Sequence, residues 1–429
     1  MATLLEKARA GEITPEMEAV AGLEGLDPEK IRRGIEDGTI VIVSGHGRSD
    51  HATGIGKGLR TKVNASIGTS SDLADLKLEL GKASVAREAG ADTLMELSTA
   101  GDLDDIRRRV LAAVPLPVGN VPLYQASTDA AARLGSNMEM TADFLFELVA
   151  RQAADGIGFM AIHCGVNRLT LETLRSQGGR SGGLVSRGGA FMSAWMTHHD
   201  CENPLFDQFD RLVEILHEYD VVLSLGNGMR AGATADATDK AQIQELLINA
   251  QLADRARQAG VQTMLEGPGH IPIDEIEANV ILEKRLSGGK PFYMLGPITT
   301  DIAPGYDHIT AAIGSAWAAA YGTDFICYVT PAEHLGLPFP EDVRQGVIAA
   351  RIAAHVGDMI KLGRRQRDFE MGEARRSLDW EAQFALALDP DGARAVRDLR
   401  PGSESDGCSM CGDQCALKVG SSAIAPICR

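Results

Sequence analysis

The feature that most constrains this chain is an alternation of short β-rich runs with longer helical stretches, sustained from residue 60 to about residue 340. The β-rich runs fall at 61–67, 93–97, 118–121, 159–163, 184–186, 221–225, 263–266, 292–295 and 325–329. Helices are predicted at 72–90, 102–113, 204–219, 238–259, 274–286, 307–320 and 340–362. Strands joined by helix-length connections pair in parallel, because parallel neighbours need a crossover. The chain is therefore expected to be α/β, either a closed (β/α)8 TIM-type barrel or an open doubly wound sheet. Nine runs are one more than a closed barrel uses, so one should lie outside it.

Two observations favour the barrel. No Gly-x-Gly-x-x-Gly follows the first run, as a nucleotide-binding open sheet would have it. Unusual polar residues also cluster at the C-terminal ends of the runs. These are Asn64 and Ser66, Met95-Glu96, Asn120 and Tyr124, His163, Ser186-Arg187-Gly188-Gly189, Asn227-Gly228-Met229-Arg230, Glu266, Tyr293 and His334. A barrel gathers all such ends at one mouth, whereas an open sheet gathers only those near its switch point. The expected organisation is an N-terminal helical segment (1–60), a catalytic barrel (61–340), a C-terminal helical domain (341–400) and a tail (401–429). In the first segment, Thr14-Pro15 reads as a helix start, and a second helix is predicted at 28–37. An apolar run follows at 39–43, and the polar stretch 44–57 has no assignable pattern. Helices are predicted at 368–376, 379–388 and 391–399 near the C-terminus.

The tail carries Cys408, Cys411 and Cys415 within eight residues, after a Ser/Gly/Asp-rich lead-in. Three thiolates are one short of a closed zinc site and suit a 4Fe-4S cluster whose fourth iron stays open. A zinc or redox tail is the alternative. Seven unevenly spaced cysteines argue against a disulfide framework and for a reducing compartment. Cys164 and Cys327 are expected to be packing residues, and Cys428 incidental. A net charge of −17 argues against a nucleic-acid partner. No window of about 18 apolar residues and no N-terminal apolar h-region is present, so no membrane association and a cytoplasmic location are expected.

At the expected mouth, Glu266-Gly267-Pro268-Gly269-His270 and His334 offer two histidines from separate loops. They suit a metal with open positions, or are simply rim histidines. Arg187 and Arg230 each stand beside glycines that free backbone N–H groups. That pairing suits a phosphate monoester, and turn glycines with surface arginines are the alternative.

The ordered motifs GADTLMELST, VPLYQA, IHCGV, VSRGG, LSLGNGMR, EGPGH, LGPITTDIAPGYDHIT, CYVTPAEHLGLP, LDWEAQF and CSMCGDQCALK resemble the phosphomethylpyrimidine synthase family from about residue 13 to residue 418. The resemblance implies a noncanonical radical S-adenosylmethionine enzyme. It also implies a homodimer of (β/α)8 barrels whose cluster-bearing tail reaches the neighbouring subunit. The implied substrate is 5-aminoimidazole ribotide, and an electron donor such as ferredoxin or flavodoxin is needed. Carried over by motif, the substrate contacts are Ser66, Met95, Tyr124, His163, Ser186, Arg187, Gly188, Asn227, Gly228, Met229, Arg230, Glu266 and Tyr293, with Glu266, Tyr293 and His163 as the catalytic candidates. His270 and His334 match a metal pair usually filled by zinc, and Cys408, Cys411 and Cys415 the cluster ligands. The implied reaction begins with reductive cleavage of S-adenosylmethionine to a 5′-deoxyadenosyl radical, which takes hydrogen from the ribose.

Three departures from the thiamin-pathway members fall on the implied pocket. Ser66 stands where they have Asn, Glu96 where they have Asp, and Asn227 where they have Asp. Exchanging a carboxylate for an amide changes how a ligand is held. The pattern resembles the paralogous 5-hydroxybenzimidazole synthases, carbon–carbon lyases of anaerobic cobamide lower-ligand synthesis. The implied alternative is the phosphomethylpyrimidine reaction of thiamin synthesis. A binding protein that kept the barrel, or a metal-dependent aldolase or hydrolase with a redox-sensing tail, are the readings from other classes.

Overall fold

The computed structural model describes residues 2–45, 47–400 and 407–424. They divide into two compact units, Met1–Leu362 and Gly363–Arg429. The residues 401–406 that lead into the expected tail, and Cys428, lie outside the described residues.

The first unit opens with helices Leu4–Arg9, Pro15–Glu24 and Pro28–Asp37. Thr14 and Pro15 begin the second of these as the sequence predicts. An antiparallel hairpin follows, β1 (Ile40–Val43) and β2 (Thr53–Gly56). β2 falls in the stretch without assignable pattern, because two of its four residues are glycine and its neighbours are polar. Gly56 (φ +143°) is required there, since a Cβ would sit 2.2 Å from the Thr39 carbonyl oxygen. Helices and hairpin bury their own apolar cluster, including Met17, Val20, Ile31, Ile35 and Ile42.

Eight parallel strands then close into a barrel: β3 (Lys62–Ile67), β4 (Thr93–Glu96), β5 (Val118–Asn120), β6 (Phe159–Ile162), β7 (Val222–Leu225), β8 (Thr263–Gly267), β9 (Phe292–Leu295) and β10 (Phe325–Cys327). Closure is made by β10 against β3, with Phe325 opposite Lys62 and Cys327 opposite Asn64. The fold is the expected (β/α)8 barrel. The supernumerary run is 184–186: Leu184 makes only an isolated bridge to Ala231, and Ser186 caps the helix Arg187–His199 by accepting from the Gly189 N–H at 3.1 Å. Helices Pro122–Leu134, Ala142–Ala154, Arg168–Ser176 and Arg187–His199 are additional to those the sequence predicts. The predicted helix at 204–219 is broken at Gln208 into Pro204–Asp207 and Phe209–Tyr219.

The hairpin lies against the N-terminal ends of the strands. Ile42 N–H donates to Gln262 Oε1 at 2.9 Å, just before β8. The opposite mouth, at the C-terminal strand ends, is where the loops gather. The helix Pro340–Lys361 packs on Asp307–Tyr321, on Leu76–Glu88 and on β3 within the first unit. The second unit holds helices Gln366–Arg376, Trp380–Leu386, Pro390–Asp398 and Ala416–Ile424.

Asp358 ties the helix Pro340–Lys361 to the start of β3. Its carboxylate accepts from Thr61 N–H at 2.9 Å and Thr61 Oγ1 at 2.7 Å, and lies 3.3 Å from Lys361 Nζ. Asp358→Ala leaves the buried Thr61 N–H unpaired and removes the acceptor of Thr61 Oγ1, so a loss of about 1–3 kcal/mol in unfolding free energy is expected. A urea denaturation curve checks this, and an unchanged midpoint would refute it.

Candidate functional site

The loops at the C-terminal strand ends surround a cavity of about 490 Å³. Of the residues singled out from sequence, Ser66, Tyr124, Arg187, Arg230, His270 and His334 line it. Met95, His163, Asn227, Met229, Glu266 and Tyr293 are buried at the same end, each on or just after a barrel strand.

Several contacts explain why these side chains hold their positions. His163, immediately after β6, places Nε2 3.2 Å from Ser186 Oγ. Gly188 and Gly226 crowd its ring so closely that a Cβ on Gly188 would sit 2.3 Å from Cε1. Burial, with Arg230 adding to it, pushes the imidazole down to about 3. His163 is thus neutral near pH 7, and its Nδ1 has no hydrogen-bond partner among the described residues. Arg187 begins the helix Arg187–His199, and its guanidinium lies 5.0 Å from the centre of the Tyr124 ring. Arg230 donates to the Asn227 carbonyl at 3.2 Å.

Glu266, the last residue but one of β8, is a buried acid. It accepts from Ser224 Oγ at 2.9 Å and from Asn227 N–H at 3.3 Å, and burial raises it above the ordinary carboxylate range. Glu96 is raised by burial too, and accepts from Ser98 N–H at 2.8 Å. Tyr293 is wholly buried. Its hydroxyl accepts from Asn64 Nδ2 at 2.9 Å, its ring stacks on Phe325 at 4.2 Å, and burial raises it well above an ordinary phenol.

The two histidines meet as expected: the rings of His270 and His334 are 5.0 Å apart. Asp301 Oδ1 stands 2.7 Å from His270 Nδ1, and Asp307 Oδ1 is 3.6 Å from His334 Nδ1. A carboxylate behind Nδ1 turns the other ring nitrogen outward, as metal-binding histidines are commonly held. Among the described residues, no group of three or more His, Cys, Asp or Glu side chains is drawn together as for a metal ion. The pair would leave most coordination positions to other ligands.

In the second unit Cys408 is half-buried, Cys411 exposed and Cys415 buried. Backbone N–H groups of Met410 and Cys411 hold the Cys408 thiol below its ordinary value, which favours the thiolate a cluster ligand must be.

Four contributing residues escaped the sequence reading. Cys327, expected to be a packing residue, lies on the cavity wall with Sγ 3.4 Å from Ser66 Oγ. Its place at the end of β10 was the available signal. Glu79 and Lys82, both fully buried and 2.5 Å apart, reach the loop after β3, where Glu79 accepts from Gly68 N–H at 2.7 Å. Glu245 reaches the loop after β7 from the helix Lys240–Gln258. A charge on the buried stripe formed by Ala241, Ile248 and Leu252 was its only signal.

A closed (β/α)8 barrel with polar side chains gathered around a cavity at the C-terminal strand ends has the arrangement in which barrel enzymes build their sites. Residues 3–422 match the Radical SAM ThiC family, and the chain belongs to that family. Among curated proteins, it is 60% identical to the phosphomethylpyrimidine synthase of Methanoculleus marisnigri, covering 97% of this chain and 98% of that protein. It is 59% identical to the 5-hydroxybenzimidazole synthase of Geobacter sulfurreducens, covering 97% of each. The 5-hydroxybenzimidazole synthase of Geobacter metallireducens is 58% identical, again over 97% of each chain. The protein is a radical S-adenosylmethionine enzyme, and membership of that class implies a 4Fe-4S cluster and S-adenosylmethionine. Among the described residues, no helix is long and apolar enough to cross a membrane.

His163 gives a direct check on the site's electrostatics. The unfolded chain takes up a proton on this ring below about 6.5 that the folded chain refuses down to about 3, so this group's stabilisation is lost as pH falls between those values. In nitrogen-15 histidine spectra one imidazole should stay neutral from about pH 5 to pH 8, and should be the one missing from His163→Gln. A midpoint near 6.5 for that signal would contradict the site's dryness.

Proposed function

We propose that the barrel mouth binds 5-aminoimidazole ribotide and that the enzyme, as a carbon–carbon lyase, converts it to 5-hydroxybenzimidazole. The observation that carries this reading is Asn227. Its amide nitrogen donates to Glu245 at 2.7 Å, and its oxygen is buried without a partner among the described residues. Position 227 thus presents a neutral acceptor where the thiamin-pathway pattern has a carboxylate. Ser66 and Glu96 support the same reading. Overall identity does not separate the two reactions, since the Methanoculleus marisnigri and Geobacter sulfurreducens relatives are 60% and 59% identical. That near-equality keeps phosphomethylpyrimidine synthesis as the second reading.

Arg187, Arg230 and the backbone N–H of Gly188 take the phosphate, by charge and by the free donors of a helix N-terminus. Ser66, Met95, Tyr124, Ser186, Gly228 and Met229 shape the remaining contacts. Neutral His163 offers an uncharged nitrogen to the ribotide. The un-ionised Tyr293 can pass a proton to the rearranging ring, and Glu266, raised by burial, is the carboxyl placed to exchange one with it. His270 and His334 would hold zinc or another divalent ion, and the carboxylates behind their Nδ1 atoms fit that role. Cys408, Cys411 and Cys415 would hold a 4Fe-4S cluster, which supplies the electron that cleaves S-adenosylmethionine to the radical initiator. A ferredoxin or flavodoxin is the fitting electron donor, and the reducing cytoplasm the fitting location. A homodimer is supported by exposed apolar residues at helical spacing, Ile309, Ile313, Trp317 and Tyr321 on one helix and Ile352, Val356 and Ile360 on its neighbour.

Anaerobic incubation of the cluster-reconstituted protein with 5-aminoimidazole ribotide, S-adenosylmethionine and a reductant should yield fluorescent 5-hydroxybenzimidazole and 5′-deoxyadenosine. Hydroxymethylpyrimidine phosphate in its place would overturn the product and keep the family.

A further inference from the structure

We infer that Glu245 is a positioning residue that clamps the Asn227-Gly228-Met229 loop in the shape the ribotide site needs, and does so only as a carboxylate. The inference rests on reading the barrel mouth as that site. Glu245 is fully buried in the helix Lys240–Gln258. Its Oε1 accepts from Gly228 N–H at 2.8 Å, and its Oε2 from Met229 N–H at 2.8 Å and Asn227 Nδ2 at 2.7 Å. Three donors therefore converge on one acid. A glutamine, or the protonated acid, would set a donor against one of them and leave it buried and unpaired.

The clamp also decides what position 227 presents. With its nitrogen committed to Glu245, Asn227 must turn Oδ1 away, and that atom is buried without a partner among the described residues. Asn227 N–H goes to Glu266 on the other side, at 3.3 Å. Arg230 on the same loop and Cys164 after β6 are the other charged and titratable groups that bear on Glu245. Burial pushes Glu245 up to about 7 against the pull of its three donors and Arg230, so its proton exchanges in the neutral range. An aspartate at position 227 would face Glu245 as a second carboxylate, and the two would have to share a proton.

The test uses the full-length, cluster-reconstituted protein. Hydrogen-exchange protection of the Gly228 and Met229 amides is measured without ligand, alongside the Kd for 5-aminoimidazole ribotide, from about pH 6 to about pH 8. In the unaltered protein, protection and affinity should rise with pH through about 7. In Glu245→Gln the rise should vanish, leaving binding about tenfold weaker at the upper pH and within about twofold at the lower. Equal behaviour of the two proteins, or a deficit constant over the whole range, would overturn the inference. Asn227→Asp keeps the test decisive should Glu245→Gln not fold: its loop should lose protection as pH rises, and a rise like that of the unaltered protein would overturn the clamp. Failure of the unaltered protein to bind the ribotide would sink the ribotide reading, while the exchange data still decide the clamp.

Discussion

A carboxylate carried out of water must find hydrogen-bond donors, and in this barrel the donors behind the mouth belong largely to the strand-end loops themselves. Glu79 accepts from Gly68, Glu96 from Ser98, Glu245 from Gly228 and Met229, and Glu266 from Asn227. Each acid is at least nine-tenths buried. The loops are thus pinned by groups too costly to leave unpaired. Lys82 completes one such pin, since its contact with Glu79 lies in a region with no exposed surface on either side chain.

The same dryness sets the electrostatics. Burial keeps His163 neutral and raises Glu266 and Tyr293 towards their protonated forms. Positive charge on the cavity wall comes from Arg187 and Arg230, on a chain whose net charge is −17. An anionic ligand entering the mouth would meet local arginines that oppose the field of the whole molecule. The unit that carries Cys408, Cys411 and Cys415 is built differently, from short helices and with Cys411 exposed.

The barrel was legible because its strands, however short, are separated by helix-length connections and end on polar residues. The supernumerary run misled because Leu184-Val185-Ser186 has strand composition, yet its serine is better used as a helix cap. β2 was illegible for the opposite reason: a glycine-rich strand has little side-chain signal to read. Within the site, the residues on strand ends could be placed from sequence, including His270 beside His334. The residues that act from behind could not. Glu245 meets its loop only because helix and strand pack, and nothing local to Lys240–Gln258 announces Asn227 as its partner. Cys327 shows the limit of composition, since a thiol at a strand end and a thiol in a core look alike until the cavity is seen.

Structures of the protein without and with bound 5-aminoimidazole ribotide test the central claim most directly. If buried acids pin the mouth, the loops after β3, β4 and β7 should superimpose within about 1 Å in the two states. The ribotide phosphate should then lie between Arg187 and Arg230. Loops that rearrange by several ångströms on binding, or a ribotide seated away from both arginines, would contradict the account.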